Sequence, residues 1–166
     1  MKENYIEECK IVQQNCTYTA ETHHLIALSA KRKAFWFEVV PAVCAAFTSA
    51  LVASGAVSQN LLPITVLSAA ISAVAAVLNP NKNYQEHLSA SRSFTALKHD
   101  ARYLRESQSH RMADDVFALA VDQLHQRYND LLKATPETDE KSFSKAREKV
   151  QRGIHEPDRD NRAVAK

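Results

Sequence analysis

The chain has 166 residues, 45% hydrophobic, 24% charged and 7% aromatic, with two glycines, five prolines and three cysteines. That is the length of one domain, and a formal net charge of +2 excludes a simple electrostatic binder of nucleic acid polymers. The mean hydropathy is that of a soluble protein, but the distribution is not. All 21 Lys and Arg and all 19 Asp and Glu fall within residues 1–38 and 82–166, leaving Val39 to Asn81 with none. At this charge fraction a chance run of that length has odds on the order of one in a hundred thousand. A bilayer span takes about 20 residues, so the run holds two. The rest of the chain is mostly charged and too small to bury it, which predicts an integral membrane protein in contact with the lipid bilayer.

In chain order, residues 1–34 predict a cytoplasmic helix. Tyr5, Cys9, Val12, Cys16, Thr19, His23, Ala27 and Ala30 recur at alternating steps of four and three, a heptad seam. No signal peptide is expected, since acids and bases are scattered before Lys31 and no apolar core region precedes it. The first span is predicted at 35–57 and the second at 61–79, joined by a tight turn at Ser58-Gln59-Asn60. Pro41 and Pro63 are placed in the first turns of their spans, where a missing amide donor costs least. Lys31, Arg32 and Lys33 precede the first span, Lys82 and Arg92 follow the second, and the loop between is uncharged. Both termini are therefore expected in the cytoplasm. Phe35, Trp36, Phe37 and Tyr84 mark the inner interface.

Cytoplasmic helices are predicted over 82–132. Tyr84, Leu88, Ser91, Phe94, Leu97, Ala101 and Leu104 form one seam, and Met112, Val116, Leu119 or Ala120, Leu124, Tyr128 and Leu131 another. Thr135-Pro136 ends that helix. A shorter helix at 139–152 carries Phe143, Ala146 and Val150 on one side, and residues 153–166 read as a disordered tail. The fold class is all-α: a two-transmembrane helical hairpin extended by cytoplasmic helices, a single domain over 1–152. Folding about residue 59 or 60 brings residue i near 119 − i, pairing Glu21 with Lys98, Lys33 with Glu86 and Phe35 with Tyr84. These pairs suggest a cytoplasmic helical stalk, with Asn79-Pro80-Asn81 bending the second helix at the interface.

Little in the chain points to catalysis. Cys9 and Cys16 stand roughly 10 Å apart along one helix face, too far for a disulfide, and read as small seam residues. His23 and His24 point about 100° apart on a helix and cannot easily share a metal ion. No nucleophile, base and orienting acid fall into a recognisable arrangement, and two glycines make no phosphate-cradling loop. An enzyme, a cofactor and a metal site are not expected.

The spans carry more. Ala42, Ala46 and Ala50 recur every four residues, as do Ala45, Ser49 and Ala53. The second span has Ser68, Ser72 and Ala76 in one row and Ala69 and Ala73 in another. Small residues at this spacing let helix backbones approach closely. One row per helix suffices for a pair, so the second row serves either an oligomer of hairpins or a narrow polar path lined by Thr65, Ser68 and Ser72. Glu38 is either an interfacial carboxylate balanced by Lys33 or an ion-attracting mouth. Lys98, Arg102 and Arg105 form a basic stripe that is either a solvated face or a grip for a phosphate-rich ligand or anionic lipid heads.

The segment ETHHLIALSAKRKAFWF leading into the first span, the short turn, and NPNKNYQEHLSASRSFTALKHDARYLRE after the second together resemble the SLATT family of two-span membrane domains from bacterial conflict systems. The resemblance covers roughly residues 5–130. It is most pronounced at Tyr84-Gln85-Glu86-His87-Leu88 with Phe94, Leu97 and Arg102. It implies an oligomeric pore-forming effector of the inner membrane in antiphage defence. Such an effector is triggered by a nucleotide-derived signal or by a nucleotide-sensing or nucleotide-synthesising partner encoded nearby. The competing expectation is a passive membrane anchor or scaffold that recruits a cytoplasmic partner through its helical seams. A transporter is a poor fit, since the spans hold no intramembrane charge and no inverted repeat.

Overall fold

The structure, a computed structural model, describes residues 2–54 and 62–153. The expected turn at Ser58-Gln59-Asn60 and the expected tail after Gly153 lie outside these residues. The described residues form helices and no strand: α1 (Lys2–Ala53), α2 (Leu62–Leu78), α3 (Pro80–Tyr103), α4 (Asp114–Ala134) and α5 (Glu140–Gln151), with a π-helical turn at Leu104–Gln108 after α3. They divide into two compact units, 2–25 with 87–153, and 26–54 with 62–86. We call these the bundle unit and the apolar unit.

The core of the bundle unit joins Cys9, Val12, Cys16 and Ala20 of α1 to Phe94, Leu97 and Ala101 of α3 and Phe117, Val121 and Leu124 of α4. Apart from Ala20, which is buried where the predicted seam had Thr19, the first two sets belong to the predicted seams, and their four-three spacing is why each helix has one buried face. On α4 the buried face starts one residue later than predicted. Phe117 and Val121 are buried while Val116 and Leu119 are about half exposed, at 49% and 59%. The heptad steps 117, 121, 124, 128, 131 carry the larger aromatic, and burial follows the greater apolar area. Lys2 ties the start of α1 to the start of α4 through the Met112 carbonyl at 2.8 Å, the Asp114 carboxylate at 3.0 Å and the face of Phe117.

α3 ends in a widened turn, in which the Ser109 amide donates to the carbonyl of Leu104, five residues back. Past Thr135 the chain re-enters a helix at Asp139, whose carboxylate accepts the Ser142 amide at 2.8 Å. Hydrogen bonds from Ser142 hold that carboxyl below its usual range. Such an N-cap satisfies one of the orphan amides of the first turn. Asp139→Ala should cost about 1 kcal/mol, read as faster hydrogen exchange through α5 with the α3 and α4 amides unchanged. Gly153 at φ 76° closes α5 in the left-handed region that glycine enters without a Cβ clash. α5 also folds back to place Lys149 against the buried Glu21 at 2.5 Å. The ion pair seen at Glu21 is thus with the last helix, where the hairpin arithmetic assigned it to Lys98.

In the apolar unit, α1 does not begin afresh at residue 35. It runs unbroken from the N-terminal seam, so Pro41 lies inside a 52-residue helix and not in a first turn. Its missing amide leaves the Phe37 carbonyl without a helical donor. Pro63 does sit in the first turn of α2. The break expected at Asn79-Pro80-Asn81 is present. Asn79 turns at φ 39°, a left-handed conformation asparagine tolerates better than most residues. Its side chain accepts the Lys82 amide at 3.2 Å, and Pro80 opens α3 where no donor is needed. Three contacts run antiparallel between the arms: Ser68 on the Pro41 carbonyl at 3.5 Å, Asn81 on Glu38, and Lys31 over the Tyr84 ring. Lys31 thus takes the place assigned to Phe35, one turn away. Glu86 pairs with Lys82 of its own helix at 3.7 Å, which removes the partner expected for Lys33.

Candidate functional site

Two helices are long and apolar enough to cross a membrane, and their apolar stretches are hardly buried: 6% of the residues in that of α1 and none in that of α2. Val43, Phe47, Val66, Leu67 and Leu78 all stand more than half exposed, and Val77 is 85% exposed. The apolar helix of a soluble core would show the reverse, because the burial of such side chains is what stabilises a soluble fold.

The polar and small residues of these helices divide by face. Along α2, Ile64, Ser68, Ile71 and Ala75 are half-buried, and Ser68 of this line reaches the Pro41 carbonyl of α1. Thr65, Ala69, Ser72 and Ala76 form a second line at the same four-three spacing, and all four are exposed. Ser72 donates to the carbonyl of Ser68 at 3.0 Å, which satisfies its hydroxyl within the helix. The predicted lining set is therefore split: Thr65 and Ser72 share the outer line, while Ser68 faces α1. On α1 the half-buried positions include Pro41, Cys44 and Thr48. Ala42, Ala46, Ala50, Ala45 and Ser49 face outward, so both small-residue rows lie off the seam with α2. Glu38 is exposed and accepts a hydrogen bond from the Asn81 amide. Composition and spacing signalled Glu38, but its partner Asn81 had no signal beyond its position in the predicted hairpin register.

In the bundle unit the basic stripe is compensated in part. Arg102 reaches Glu106 at 3.1 Å and Arg105 reaches the same carboxylate at 3.0 Å. Lys98 makes no ion pair with a described residue, and its charge bears on the Cys16 thiol. Beside the stripe, Tyr103, Leu104, Met112 and Leu124 line a recess of about 400 Å³, with the Asp100–Arg127 ion pair (2.9 Å) among its lining residues.

The buried chemistry of this unit centres on a histidine pair. His23 of α1 and His87 of α3 are 1% and 4% exposed, and their Nδ1 atoms are 2.8 Å apart. One ring must donate and the other accept, so the bond requires that the two Nδ1 atoms share a single proton. Phe94 stacks on His23 with ring centroids 5.8 Å apart. Burial first, and the neighbouring His87 second, lower the His23 pKa to about 4. The Cys9 and Cys16 thiols are pushed up by burial to about 11 and about 12, so neither is a reactive thiolate at neutral pH. The seam spacing named both cysteines and His23 as core residues. It missed His87, which lies one residue before the seam position Leu88. No family profile, curated protein or solved structure matches this chain.

Proposed function

We propose that this chain is an integral membrane protein that assembles into a pore through the inner membrane, a SLATT-like effector of antiphage defence. The observation that supports this reading is the combination of apolar helices that bury almost nothing with an exposed small-residue line, Thr65, Ala69, Ser72 and Ala76. Two spans cannot enclose an aqueous path, so conduction requires an oligomer. In that assembly the line from Thr65 to Ser72 faces the path, with Glu38 and Asn81 near its cytoplasmic mouth. The bundle unit receives the trigger, either a nucleotide-derived signal or a partner encoded nearby, with Lys98 and its neighbours Arg102 and Arg105 as the cationic surface. Both termini are cytoplasmic in this topology, by the charge placed around Lys31–Lys33 and Lys82.

The reading is tested by following membrane potential with a voltage-sensitive dye while the full chain is expressed from an inducible promoter. Depolarisation on induction is expected, and Ser72→Leu should abolish it while leaving the protein in the membrane fraction. Equal depolarisation by Ser72→Leu would remove the outer line from the pathway. A second reading, a scaffold, draws on the exposed Val116 and Leu119 of α4. It predicts that charge at these two positions abolishes partner recruitment with membrane potential constant throughout.

A further inference from the structure

We propose that the apolar unit carries a site for one anionic phospholipid, in the recess lined by Ser29, Arg32, Lys33, Trp36, Phe37, Val40 and Ile71. The recess measures about 530 Å³. Its α1 residues fall at spacings of three and four, which places them on one face of the helix. Along that face the chemistry changes in a fixed order: a hydroxyl and two cations, then the Trp36 and Phe37 rings, then the aliphatic Val40, with Ile71 of α2 closing the apolar end. The sequence from Ser29 to Val40 covers about 16 Å of helix axis. A phospholipid has the same order, from phosphate through the ester region to the acyl chain, and tryptophan favours that middle level.

The charge selects the class of lipid. Neither Arg32 nor Lys33 makes an ion pair or hydrogen bond with a described residue, since Glu86 is held by Lys82. No carboxylate lines the recess, and the acid nearest in sequence, Glu38, is engaged by Asn81. Two uncompensated cations beside an apolar groove favour a headgroup of net negative charge over a zwitterionic one. A soluble phosphate compound would answer the cations alone and leave Trp36, Val40 and Ile71 uncovered. The site is separate from the stripe at Lys98, Arg102 and Arg105, two of whose charges meet Glu106. It rests on the membrane reading above, and not on conduction.

Trp36 is the chain's single tryptophan, so its fluorescence reports the recess directly. The full chain is reconstituted in phosphatidylcholine bilayers holding a small, fixed fraction of bromo-acyl phosphatidylglycerol or bromo-acyl phosphatidylcholine. The phosphatidylglycerol probe should be enriched at Trp36 on the order of fivefold per cation, seen as stronger quenching at equal fraction. The paired substitutions Arg32→Gln and Lys33→Gln should reduce its quenching to the phosphatidylcholine level. Lys31→Gln, which removes a neighbouring cation from the Tyr84 face outside the recess, should preserve the preference. Equal quenching of the unaltered protein by both probes overturns the site while leaving the membrane reading intact. Loss of the preference in Lys31→Gln to the same degree as in the double variant also overturns it, by assigning the effect to bulk charge. Absence of quenching by either probe overturns the membrane reading and the site together.

Discussion

Replacing Phe94 by alanine should destabilise the bundle unit by about 3–5 kcal/mol, the range for truncating a fully buried phenylalanine. Phe94 is 0% exposed and is the side chain on which three helices converge. It stacks on His23 of α1, meets Tyr128 of α4 edge to face at 6.2 Å, and lies in the core cluster with Leu97 of its own helix. Truncation removes these contacts together and leaves a cavity that the neighbouring rings can fill only in part. A domain's whole stability is about 5–15 kcal/mol, so the variant should populate open states that a protease detects. The measurement is hydrogen exchange of the full chain in lipid nanodiscs, comparing the α1 amides before Leu25 and those of α3 and α4. Phe94→Leu should retain more of the protection than the alanine variant, because its larger side chain leaves a smaller cavity. A loss below 1 kcal/mol for the alanine variant would mean that the helices do not pack around this ring.

The second large effect is expected on acidification. The His23 pKa falls from 6.5 in a solvated chain to about 4 in the fold, so between these values the unfolded chain binds the extra proton and the folded one does not. Stability from this group is therefore complete above pH 6.5 and is lost as pH falls towards 4. The difference corresponds to roughly 3 kcal/mol by linkage. The sign rests on burial first and on the neighbouring His87 ring second; two donors would face each other at 2.8 Å only with both rings charged. Carboxylates titrate over the lower part of this range as well, and the comparison that isolates the pair is with His23→Asn. Its amide can stand near the Nδ1 position without taking up a proton. Its unfolding free energy should be lower than that of the unaltered chain at pH 7 but fall less steeply between pH 6.5 and 4.5. Parallel pH profiles for the two proteins would exclude the histidine pair as the source.

What could be read from the residues alone follows from how local each feature is. The helices and their ends were legible because the signals lie within a few residues: the four-three apolar spacing at Cys9, Val12 and Cys16, the stop at Thr135-Pro136, the break at Asn79-Pro80. The uncharged run from Val39 to Asn81 marked the two apolar helices for the same reason. Leu124, Tyr128 and Leu131 of α4 lie where the spacing put them, but the start of that face was misplaced by one residue because Val116 and Phe117 are both apolar, and only the arrangement of three helices selects between them. Pro41 was placed at a helix start because proline usually marks one. No local signal shows that the N-terminal helix continues through it. The meetings of His23 with His87 and of Glu21 with Lys149 join residues 64 and 128 positions apart, and no spacing rule within one helix can foresee them. At the candidate sites, the small and polar residues of α2 were legible in the sequence. Their division between an inner and an outer line depends on where α1 lies.

The left-handed Asn79 has a consequence for cooperativity. A helix propagates by adding one hydrogen bond per residue, and that ladder is what makes neighbouring amides open together. Asn79 still donates to Ala75 and the ladder resumes with Asn83 donating to Asn79, but Pro80 has no amide to give. Unwinding that starts in α3 has no continuous ladder by which to travel into α2. Amide exchange on the two sides of Pro80 should therefore report two independent opening reactions. α1, on its long arm, should show a graded profile interrupted only around Pro41.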